Sequence, residues 1–278
     1  MTNVDTFAGS IQLSPLIQRP PCDLHSGSWR SAKRRRIDSM SSLSDVVRRG
    51  GAAYGSAPPG VSPRSLELAG AAEDHLTYCT TLRGMSVQAI DLRHGTKAME
   101  LADVAAAASP KAGPRMRAFL AGQQAHAAAQ TGNRAAAMRY IREAEEAMDR
   151  AESRGKAFGS YDPAALNYHI SQVRYELGDV SGAIEAMQES DKVRYSVYRR
   201  ARVRHRGTLA ERKLEIGHLD AACAIWHQAL DDYPMVQSAR ADDRIRTMFG
   251  LLRPHLKNPT AHDLYERART IAPPSLVT

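Results

Sequence analysis

Three glycines, each followed by a polar residue, set a register in this chain: Gly132-Asn133, Gly178-Asp179 and Gly217-His218. Seven positions before each glycine stand Ala125, Ser171 and Ala210, and five after stand Ala137, Ala183 and Ala222. Twelve after stand Ala144, Ser190 and Ala229, so all nine of these places hold a small residue. Nine after stand the bulky Ile141, Met187 and Trp226. Glycine ends a helix by taking the left-handed conformation. Small side chains let two antiparallel helices cross closely, and the bulky residue fills the gap to the next pair. One such pair cannot bury its apolar face alone, so pairs must stack.

The rest of the chain is less regular. Residues 1–64 are rich in Ser, Pro and Gly, have no sustained period and predict a disordered arm, with at most a helical turn or two over 42–49. Helical spacing begins near Ser65 and runs to about Gly84. A second helix is expected from Ser86, as N-cap, to Pro110, with a break at Gly95 left open. Residues 238–252 and 260–270 predict two further helices that cap the array, and Pro234 closes the third unit. The fold expected is therefore all-α: a superhelix of antiparallel helix pairs (an α-solenoid) over 65–278. Its clearest units are 115–148, 163–190 and 203–234.

No stretch of the sequence has the 18 or so apolar residues of a membrane span, so no membrane is expected. Cys22, Cys79 and Cys223 are isolated, which argues against a disulfide framework and against a zinc site and favours a cytoplasmic setting. The basic run Lys33, Arg34, Arg35 and Arg36 is not followed by the apolar core of a secretion signal. About half of the net charge of +8 falls in the first 70 residues, a bias toward acidic partners or polyanions.

The small crossing residues, the Gly-Asp turn and the terminal proline resemble the tetratricopeptide repeat, although spacings of 46 and 39 residues exceed its usual 34. A narrower resemblance rests on Gly217-His218-Leu219-Asp220-Ala221-Ala222-Cys223, continuing through Trp226 to Pro234. Ser238-Ala239-Arg240, the segment Leu251-Leu252-Arg253-Pro254-His255, the helix over 264–269, and 114–125 followed by Thr131-Gly132-Asn133-Arg134 add to it. Together these resemble the C-terminal region of actinobacterial (Streptomyces-type) transcriptional regulators with a helix-turn-helix of the Cro/C1 (XRE) type followed by tetratricopeptide-like repeats. The resemblance covers about residues 65–270. It implies a regulator's sensing half, because residues 1–70 carry no pair of helices joined by a short turn.

The nucleotide, metalloprotease and nucleophile-elbow motifs are all missing from the sequence, and the ten histidines show no metal-ligand spacing. No cofactor, metal or catalysis is expected. If the first helix of each pair lines a concave groove, Phe119, Gln123 and His126 face it from the first unit. Tyr168, His169, Gln172 and Tyr175 face it from the second, and Arg204, Glu211 and Glu215 from the third. That mixed aromatic and polar lining suits a peptide or protein partner, in a regulatory and non-enzymatic role. The alternative is nucleic-acid binding through a basic face over 192–213, above all Arg199, Arg200, Arg202 and Arg206, with Lys33, Arg34, Arg35 and Arg36 as a second contact. A homodimer, and DNA reached through a partner subunit, are both compatible with these expectations.

Overall fold

The computed structural model describes residues 63–110, 112–151 and 161–277; the arm, its basic run and Cys22 lie outside them. The described residues form eleven α-helices and no strand. In chain order these are α1 (Pro63–Ala71), α2 (His75–Asp91), α3 (Gly95–Ala107), α4 (Pro114–Gln130), α5 (Arg134–Asp149) and α6 (Pro163–Glu176). They continue as α7 (Val180–Lys192), α8 (Arg199–Glu215), α9 (Leu219–Asp232), α10 (Ala239–Leu252) and α11 (Pro259–Ile271). Helices α2 to α9 pack as four consecutive pairs, α10 lies on α8 and α11 on α9. The described residues thus form an all-helical repeat solenoid.

The turns follow from the glycine register. Gly132, Gly178 and Gly217 have φ of 77°, 82° and 82°, the left-handed region. At the first of them Gly132 N–H donates to Ala129 O at 2.9 Å and Asn133 N–H to Ala128 O at 3.0 Å, which satisfies two carbonyls at the end of α4. At the first two turns the residue after the glycine then caps the next helix: Asn133 accepts from Ala136 N–H and Asp179 from Gly182 N–H, whereas His218 makes no side-chain cap. Each such cap contributes about 1 kcal/mol.

One expectation fails, and it hides a further pair. No helix ends at Gly84 and none starts at Ser86; α2 runs through both, and the chain turns at Leu92-Arg93-His94. Arg93 takes the glycine's place with φ 61°, and its N–H donates to Ile90 O at 2.9 Å. Counted from Arg93, the small positions fall on Ser86, Ala98 and Ala105, each fully buried. Ser86 is a crossing residue and not a cap: its Oγ donates to Ala98 O at 2.8 Å. Ser171 Oγ donates to Ala183 O at 2.5 Å at the same place in the α6–α7 pair.

Among the described residues, one extensive apolar cluster gathers Trp226, Leu230, Ile245, Met248, Phe249, Leu252 and Leu264 from α9, α10 and α11. Phe249 meets Tyr265 edge-on, with ring centroids 5.1 Å apart. Helices α10 and α11 therefore extend the core as well as end it.

The candidate partner-binding groove

The first helices of successive pairs, α2, α4, α6 and α8, together with α10, bring one set of side chains into contact. On α6 the stripe Tyr168, Gln172 and Tyr175 follows from spacings of three and four, which place residues on one helix face. Tyr168 stacks flat on His205 of α8, centroids 4.1 Å apart and planes 9° apart. Arg212 of α8 donates to Ser171 Oγ and to Gln172 Oε1, and its guanidinium lies 4.3 Å from the Tyr175 ring centroid. Tyr175 donates its hydroxyl to Glu215 at 2.9 Å.

Beyond α6 the set continues toward the N-terminal pairs. Arg83 of α2 lies with its guanidinium 4.2 Å from the Phe119 ring centroid, and its Nη2 is 3.2 Å from His169 Nε2. An arginine only donates, so His169 Nε2 is the acceptor and its proton sits on Nδ1. That Nδ1 is 2.7 Å from the Tyr161 hydroxyl, which is then the acceptor of this bond. The approach is close: a Cβ on Gly122 would collide with both His169 and Tyr161. Toward α10, Arg244 donates to Glu211 at 2.8 Å and Arg240 to Asp91 of α2 at 3.4 Å.

Burial governs the charge states. It holds His126 down to about 3, helped by the charges of Arg212, Arg83 and Arg93, so His126 is neutral at pH 7 although Glu176 lies 4.0 Å away. His169 and His205 are likewise held well below the usual histidine range by burial first and nearby arginines second. Burial also draws the Arg83 guanidinium down to about 10, with the like charges of Arg204 and Arg240 adding to the effect, and leaves it charged. Glu211 is pushed up by burial against the opposing pull of Arg244.

The residues expected to line the groove divide in two. Phe119, Tyr168, Gln172, Tyr175, Arg204 and Glu211 are partly exposed, and Glu215 is exposed. Gln123 is only 1% exposed and spends its amide on Ser86 Oγ at 2.9 Å, so it joins α4 to α2 and meets no partner here. His126 and His169 are also buried. Sequence reasoning missed Arg83, Asp91, Tyr161, Arg240 and Arg244, and placed Arg212 on the basic face over 192–213. The first two belong to the pair whose turn has no glycine, and Arg240 and Arg244 to α10, a helix expected only to cap the array.

The basic face also takes a different form. Arg206 Nε is 3.1 Å from both carboxylate oxygens of Asp191, and its Nη1 is 3.4 Å from Asp232. Arg202 is 3.1 Å and Arg199 3.9 Å from the same Asp232, which is buried. Three of the four arginines thus tie α8 to its neighbours, because a buried carboxylate needs compensating charge. Arg200 remains exposed. Lys33, Arg34, Arg35 and Arg36 lie outside the described residues.

Among the described residues no helix is long and apolar enough to cross a membrane, and no three His, Cys, Asp or Glu are placed to hold a metal ion. Cys79 and Cys223 are both buried as free thiols. No known family model matches the chain, and no curated protein matches it.

Proposed function

We propose that this protein is a non-enzymatic regulatory interaction module whose groove, lined by α2, α4, α6, α8 and α10, holds an extended segment of a peptide or protein partner. The observation that carries this is the convergence of half-exposed aromatic and polar side chains from all five helices: Arg83, Phe119, Tyr168, Tyr175, Arg204 and Arg240. Solenoid grooves bind extended segments because each repeat adds a similar row of side chains. The resemblance to repeat-bearing regulators of the Cro/C1 type supports placing this module in transcriptional control. In that role partner binding would bias the curvature or assembly of the array.

Clustered histidines, beside the Glu211 carboxyl that burial pushes up, are a trait the groove shares with an acid–base site. Their state speaks for structure: all three are neutral, and both nitrogens of His169 are committed to Arg83 and Tyr161. The nucleic-acid alternative is weakened because Arg199, Arg202 and Arg206 are engaged with Asp232.

Affinity capture from the native cell tests the proposal, with the wild-type chain beside Tyr168→Ala and Tyr175→Ala. Melting curves would show that the variants fold. The same partner should be lost from both variants. Identical recovery by all three chains would overturn the groove.

A further inference from the structure

The charges of the groove do not balance. Arg93 pairs with Glu176 at 2.8 Å, Arg244 with Glu211 at 2.8 Å and Arg240 with Asp91 at 3.4 Å. Arg212 is buried and spent on Ser171, Gln172 and the face of Tyr175. Two cations remain. Arg83 and Arg204 have no carboxylate within ion-pair distance among the described residues. Arg83 Nε is moreover buried without a hydrogen-bond partner, as is His205 Nδ1. An unpaired charge in a partly desolvated groove costs free energy that an anionic ligand would recover.

Asp91 shows what such a ligand would be. Its carboxylate is half-exposed and makes one ion pair, to Arg240. It also feels Arg204 and Arg244, which oppose the rise that burial imposes on its pKa. One carboxylate of the chain itself therefore already sits in the field of these arginines. Guanidinium groups are planar, weakly hydrated and matched to carboxylates in two-point contact.

We propose that the groove takes an acidic segment, with a ligand carboxylate bound by Arg83 and Arg204 and competing with Asp91 for Arg240. This rests on the groove reading above and adds the chemical class of the partner. Asp91 is then an internal occupant that weakens binding until it is displaced.

The test is fluorescence anisotropy of labelled hexaglutamate, hexaserine and hexalysine peptides with the full chain, at about 50 mM and about 500 mM salt. Variants are Arg204→Gln, Arg83→Gln and Asp91→Asn, with the exposed Arg150→Gln as control. Hexaglutamate should bind in preference to the other two and lose affinity with salt. Arg204→Gln and Arg83→Gln should weaken it about tenfold or more, and Asp91→Asn should tighten it about threefold, a range typical of single charged contacts. Arg204 is half-exposed, so its variant stays informative if Arg83→Gln fails to fold. Equal binding of hexaserine, or unchanged hexaglutamate binding by Arg204→Gln, would overturn the proposal. A natural partner lost with Tyr168→Ala but kept by Arg204→Gln would refute the charge assignment and leave the groove reading standing.

Discussion

Arg240 Nη2 lies 3.4 Å from Asp91 Oδ2 across 149 positions of sequence, and so joins the second helix of the array to the tenth. Both side chains are partly exposed, at 37% and 50%, so the pair contributes little stability, roughly 0–1 kcal/mol. Its consequence is geometric: the pair bridges the groove from α2 to α10. Arg240→Gln should leave the melting temperature within a few degrees of wild type. It should, however, enlarge the radius of gyration measured by small-angle scattering. An unchanged radius would show that packing alone sets the curvature.

The turn register can be tested by a reciprocal pair of substitutions. Gly178→Ala puts a Cβ into open space, so its cost is conformational only, about 1 kcal/mol at φ 82°. Arg93→Ala and Arg93→Gly both lose the ion pair with Glu176, whose side chain is only 17% exposed, but the glycine alone relieves the left-handed cost at φ 61°. Arg93→Gly should therefore be more stable than Arg93→Ala by about 1 kcal/mol. Denaturant melts of these variants decide the matter, and an Arg93→Gly chain no more stable than Arg93→Ala would contradict the equivalence of the turns.

Three buried neutral histidines make stability depend on pH. His126, His169 and His205 have folded pKa values below the unfolded value, so their contribution is present above about pH 6.5 and lost as pH falls below it. Each removes roughly 1.4 kcal/mol per pH unit once the unfolded form is protonated. For His126 the loss runs down to about 3. His205→Phe keeps the stacking on Tyr168 and removes one titrating group, so it should flatten the decline in melting temperature between pH 6 and pH 5. An equal slope in the two proteins would mean that His205 is protonated in the folded state.

Trp226 anchors the C-terminal core, fully buried, with its Nε1 buried and unpartnered. Trp226→Ala should cost about 3–5 kcal/mol. Trp226→Phe, which removes the unsatisfied N–H, should cost far less. Equal losses in urea melts would show that Nε1 has a partner in solution.

The helix pairs that carry a glycine turn were legible in the sequence, because glycine and small residues have few other reasons to recur at fixed offsets. The α2–α3 pair was not, since Arg93 carries out the glycine's task in a conformation that side chains seldom adopt. Ser86 then passes for a cap when read without its partner Ala98. For the site, the stripe on α6 followed from helical spacing, whereas the contacts of Arg83 with His169 and of Arg240 with Asp91 depend on superhelix curvature. No local pattern encodes curvature. Likewise the arginines of α8 read as a free basic face until Asp191 and Asp232 are seen beside them.

Hydroxyl-radical footprinting of the captured complex tests the groove most directly, because tyrosines report both from the groove and from a connector. Tyr168 and Tyr175 line the groove, whereas Tyr195 is exposed on the connector between α7 and α8. The groove account predicts that the partner protects Tyr168 and Tyr175 and leaves Tyr195 as reactive as in the free protein. Protection of Tyr195 with no change at Tyr168 and Tyr175 would place the partner elsewhere and contradict it.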